Sequence, residues 1–148
     1  MSTDHGPRLF ARAEDIRWIG EAMLACSLPK EAWTHEAHLS TCLWLLAERP
    51  DIDVDAEIGM FIRRYNVSVG GVNDDAQGYH ETITRAFVEG VRRYLQRTGE
   101  QDLLAAVNGL LCAPEGSRDW PLRFYSRDLL FSVAARRDFV APDLMAFD

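Results

Sequence analysis

Apolar residues recur along this chain at helical spacing. Between positions 13 and 26, Ile16, Ile19, Gly20, Met23 and Leu24 stand at i, i+3, i+4, i+7 and i+8, the stripe of an amphipathic helix. The segment "SLPKEAW" interrupts it, and a second helix is predicted over 35–48, with Thr34 as its N-cap and Pro50 as its stop. A third, over 53–67, carries Ile58, Phe61, Ile62 and Tyr65 on one face. The stretch "SVGGVNDDAQG" reads as a loop of residues that accept positive φ. The fourth and longest helix, 79–97, aligns His80, Ile83, Thr84, Phe87, Val88, Val91 and Leu95 and ends at Gly99. A fifth covers 100–112, "APEGSRDWPLRFY" forms a second loop, and Ser126 caps a last helix running to Arg137, with "FVAPDLMAF" as a packed tail. No segment alternates as a strand does. The expected architecture is therefore all-α, a compact bundle of five to six helices. Residues 1–11 are expected to be a flexible arm and 12–148 a single helical domain.

Composition narrows the function. A chain of 148 residues with 47% hydrophobic and 26% charged residues suits one globular domain. A formal charge of −7, with no basic stripe, argues against a nucleic-acid partner and against an anionic membrane surface. The N-terminal "MSTDHGPRLFARAED" has no long apolar core, and no run of about 18 apolar residues occurs, so neither a signal peptide nor a membrane span is expected and the location expected is cytoplasmic. Cys26, Cys42 and Cys112 are odd in number and form no CxxC, and they read as small buried hydrophobes. The four tryptophans, Trp18, Trp33, Trp44 and Trp120, are expected in the core or on a pocket wall.

The histidines carry the candidate chemistry. Apart from His5 in the arm, each falls in the first turn of a predicted helix: His35 and His38 on the second, His80 on the fourth. His35 and His38 continue the face of Leu39, Cys42 and Leu46, and His80 heads the stripe of Ile83, Phe87 and Val91, so all three are expected to point inward and to meet at one end of the bundle. A shared metal ion would satisfy them together, since ring nitrogens at i and i+3 can reach one ion at about 2.0 to 2.1 Å. Buried histidines can equally be satisfied by backbone carbonyls, by Tyr65 or Tyr79, or by Glu36 and Glu81. The metal reading takes His35, His38 and His80 as ligands and Glu81 as the catalytic base or a fourth ligand, Glu36 being explained by the helix dipole. "HEAH" is not the zincin HExxH, because its histidines are three apart. The cofactor would be a divalent transition metal, zinc or iron first, then nickel or manganese.

Substrate-binding candidates are Asn66 and Asn73, which flank the Gly70–Gly71 turn, together with Tyr79 and Arg127. Arg123 and Tyr125 stand near the same helix start as Arg127. Arg85, four residues after Glu81, is spaced to pair with it. The resulting expectation is a metal-dependent enzyme on a small molecule, of hydrolase or oxygenase type. The alternative is a non-catalytic small-molecule-binding protein with structural or pH-sensing histidines, and either fits a monomer or a homodimer formed through an apolar helix face.

The segments "THEAHL", "IRRYNVSVGGVNDDAQGYHETIT" and "RFYSRDLLFSVAARRDFVAPDL" resemble the blocks of a family of small bacterial proteins, over roughly residues 33–145. That resemblance implies only that His35, His38, Asn66, His80, Glu81 and Arg127 lie in motif-bearing segments. In size, and in three histidines on helices, the chain is also similar to the DinB-like metal-binding bundles, whose ligands are spaced differently.

Overall fold

In a computed structural model the described residues are 6–147; His5 lies outside them. Among the described residues there is no strand, and five helices of nine residues or more build the bundle: α1 (Ala13–Leu24), α2 (His35–Glu48), α3 (Val54–Ser68), α4 (Glu81–Thr98) and α5 (Leu103–Leu111). Two short helices follow, α6 (Arg127–Leu130) and α7 (Val133–Arg137).

Local chemistry sets most of the helix ends. The side-chain oxygens of Thr34, Asp53 and Asp102 accept the backbone N–H of Ala37, Ala56 and Ala105, starting α2, α3 and α5. Gly99, at φ +63°, stops α4 in the left-handed conformation. The helix expected over 126–137 is instead two pieces. Ser132 donates to the Leu129 carbonyl at 2.7 Å and accepts the Ala135 N–H at 3.1 Å, ending one helix and capping the next.

α2 is the centre of the bundle and packs against α1, α3, α4 and α5. Every residue from Leu39 to Leu45 is buried, so this helix is enclosed on all sides instead of presenting one stripe. A second core cluster, Ala86, Trp120, Phe124, Tyr125 and Leu130, seats the C-terminal segments on α4. There the Trp120 indole lies across Gly90 and donates to the Ala86 carbonyl at 3.0 Å; a Cβ at Gly90 would come within 2.6 Å of the indole nitrogen. The tail is held by the Tyr125 hydroxyl on the Val140 carbonyl (2.6 Å) and by Phe147 against Phe124. At the other end, Phe10 exchanges two backbone hydrogen bonds with the Asn108 side chain and packs on the main core.

Two expectations about burial are corrected. Trp18 is 56% exposed, because it sits about 200° around α1 from the buried Ile16. Of the cysteines only Cys42 is buried, and its thiol is pushed up to about 12 by desolvation. Cys112 is exposed because it is the C-cap of α5, and Cys26 is half-buried just beyond α1, where φ reaches +57°. No described helix is long and apolar enough to cross a membrane.

Candidate functional site

The three histidines part company. His80 is the N-cap of α4 and does not belong to its first turn: its Nδ1 accepts the Ile83 N–H at 3.1 Å, and its Nε2 donates to the Leu130 carbonyl at 2.7 Å. One neutral tautomer, with the proton on Nε2, satisfies both bonds, so both ring nitrogens are used. His35 finds different partners, donating from Nε2 to the Gly116 carbonyl at 2.9 Å with its ring edge-on to Phe87.

His38, expected inward, is exposed. The unbroken run of buried positions in α2 begins at Leu39; in the first turn Ala37 is buried but His38 is not, and its ring rests on Trp33 with centroids 4.1 Å apart. Among the described residues no group of three His, Cys, Asp or Glu side chains is placed to hold a metal ion. The donor set proposed from spacing therefore does not fit one. The physical reason is that each imidazole meets a backbone carbonyl or an aromatic ring before it can meet another imidazole.

A different cluster forms around the 72–79 loop. Asn66 donates from Nδ2 to Asn73 Oδ1 at 2.9 Å, and the same oxygen accepts the Tyr79 N–H at 2.9 Å, while Asn73 Nδ2 reaches the Arg63 carbonyl. The Tyr79 hydroxyl donates to Glu81 Oε1 at 2.6 Å, and Glu81 Oε2 pairs with Arg85 at 3.3 Å, the i, i+4 contact expected from spacing. Both carboxylate oxygens of Glu81 are thus occupied. Desolvation, then Glu81, pushes the Tyr79 phenol far above its usual range, so it stays a protonated donor. Gly78, at φ +83° with the Val72 carbonyl 2.3 Å from where its Cβ would be, lets the loop fold tightly over Asn73.

Arg63, Asn73, Asp74, Asp75, Tyr79, Arg136 and Arg137 line a recess of about 200 Å³ there. The structure so brings Asn66, Asn73, Tyr79 and Glu81 together, but leaves His35 and His38 apart from them. Arg127 is exposed at the start of α6, and no side-chain hydrogen bond ties it down among the described residues. Reasoning from sequence missed Arg63 and Arg136. Each stands beside another arginine on a helix, and no linear spacing links α3 to α7.

Burial lowers the pKa of His80 most, with Arg136 adding to it against the pull of the Leu130 hydrogen bond. Crowding by protein, then His35 and Arg118, also lowers that of His38, although its exposed face keeps part of its hydration. An unfolded imidazole titrates near 6.5 and so takes up a proton that the folded protein refuses. Stability contributed by these groups is full above pH 6.5 and is lost as the pH falls through their lower folded values. Urea unfolding is expected to show a less stable protein at about pH 5 than at about pH 7.5, with His80→Asn reducing the difference. A midpoint that rises on acidification would contradict this assignment.

No protein-family model, no curated protein and no solved structure matches this chain.

Proposed function

We propose that this chain is a small-molecule-binding domain whose ligand occupies the recess beneath the 72–79 loop, and whose histidines hold the fold. The observation that carries this reading is the unbroken hydrogen-bonded series Asn66, Asn73, Tyr79, Glu81 and Arg85, which fixes the recess wall before any ligand arrives. Preorganisation of this kind reduces the ordering cost of binding. Glu81, with both oxygens engaged, acts as a positioning residue for Tyr79. The metal-dependent enzyme has the spacing of His35 and His38 in its favour and no third donor beside them.

The experiment is a thermal-shift screen of the full chain against small metabolites, repeated after chelator treatment and with Asn73→Ala. A true ligand at about 100 times its Kd adds about 2.7 kcal/mol, and raises the midpoint of a chain this size by about 5–10 °C. That shift is expected to survive chelation and to vanish in Asn73→Ala. Loss of the shift on chelation, together with a metal content near one equivalent, would overturn this reading and restore the enzyme.

A further inference from the structure

We propose that the recess holds a small oxyanion, a carboxylate or phosphate group, clamped between the guanidinium groups of Arg63 and Arg136; this rests on the binding-domain reading above. The recess is lined by three arginines and two aspartates, but the acids are already committed. Asp75 takes a two-pronged ion pair from Arg137, at 2.7 and 2.5 Å, and Asp74 accepts the backbone N–H groups of Ala76 and Gln77 at 2.9 and 3.1 Å. None of the ion pairs among the described residues uses Arg63 or Arg136. The lining therefore carries three arginines against two aspartates, a net charge of +1, and the two arginines outside any ion pair face one small concavity on a chain whose net charge is −7.

Both guanidiniums are also held in place. Arg136 donates from Nη1 to the Gly78 and Tyr79 carbonyls, at 2.9 and 3.3 Å, which fixes its plane and leaves Nε and Nη2 free to donate. Arg63 lies over the Tyr79 ring, 4.4 Å from the centroid, and donates no side-chain hydrogen bond within the described residues. Stacking on Tyr79 restrains it while keeping its fork of N–H donors available, the arrangement that suits two-pronged recognition of carboxylate or phosphate. The Tyr79 hydroxyl is spent on Glu81, so its ring serves as a platform.

A volume of about 200 Å³ is below the usual range of about 300–1,000 Å³ for sites that enclose drug-sized ligands. It suits a small anion or the anionic end of a larger molecule. The net negative charge elsewhere does not prevent this, because repulsion beyond about 8 Å is largely screened at physiological ionic strength.

The test is calorimetric titration of the full chain with inorganic phosphate and, separately, with succinate, each against chloride at matched ionic strength. At least one is expected to bind saturably. Arg63→Met should weaken that binding about tenfold or more, and Arg63→Lys less. Arg63 is exposed, so these variants should remain folded, which circular dichroism checks. Arg136→Met should weaken binding as well, whereas Arg123→Met, which alters an arginine on the far loop over Trp120, should not. Phosphate binding without succinate binding would assign the phosphate group, and the reverse the carboxylate. Equal weak responses to all three salts, or binding unchanged in Arg63→Met, would overturn the proposal. An uncharged metabolite that binds in an Asn73-dependent way while neither anion does would leave the binding-domain reading standing and remove this one alone.

Discussion

Replacing His80 by alanine is expected to destabilise the fold by about 2–4 kcal/mol, the sum of a lost N-cap, about 1 kcal/mol, and of a buried carbonyl left without its donor, about 1–3 kcal/mol. The imidazole does two structural tasks at once. Through Nδ1 it starts α4, the longest helix, and through Nε2 it ties that start to the end of α6 at Leu130. His80→Asn separates the two, because asparagine is a good cap that does not reach as far as the imidazole Nε2. It should recover about 1 kcal/mol of the loss and no more. Equilibrium unfolding in urea measures both variants. If both are as stable as the parent, neither hydrogen bond contributes as assigned. If the alanine variant loses stability only in metal-supplemented buffer, His80 is a ligand after all.

Trp120→Ala is expected to cost about 3–5 kcal/mol, the range for removing a large aromatic side chain from a packed core. Trp120 is 5% exposed and centres the cluster that fastens the 120–147 region to α4. Its effect should couple to Gly90, the residue it covers. In the parent, Gly90→Ala drives a methyl group into the indole and should cost about 1–3 kcal/mol of overpacking, less the roughly 1 kcal/mol that alanine returns to a helix interior. With the indole gone, only the helix term remains. Gly90→Ala should then stabilise the Trp120→Ala protein by up to about 1 kcal/mol, a reversal of sign that a double-mutant cycle reads directly. Additive effects would mean that the two groups do not touch.

Much of the helical framework can be read one turn at a time. Thr34 caps α2 and Gly99 stops α4 because each acts on backbone groups within four residues of itself, and Glu81 meets Arg85 because positions i and i+4 share a helix face. The break at Ser132 obeys equally local rules, yet it escapes a reading of apolar spacing. The hydroxyl of Ser132 competes for backbone partners, and hydrophobic periodicity carries no record of that.

The candidate site divides along the same line. The sequence sets Asn66, Asn73 and Tyr79 beside the loop and Glu81 with the histidines, whereas the structure joins all four by hydrogen bonds. That His35, His38 and His80 would share one centre is an extrapolation from helix faces, and faces fix only the direction in which a side chain leaves its helix. Its partner depends on what the rest of the chain brings there. Gly116 meets His35 across 81 residues and Leu130 meets His80 across 50.

By itself the sequence determined that this protein is helical, where most of its long helices start and stop, and which residues lie near the loop, since these follow from contacts within a turn or two. Tertiary structure alone decided that α2 is enclosed on every side, that the imidazoles are spent on carbonyls and an indole, and that Arg63 of α3 and Arg136 of α7 face one recess. Those outcomes depend on segments far apart in the chain, whose relative placement is chosen by packing of the whole core and is encoded in no short stretch of residues.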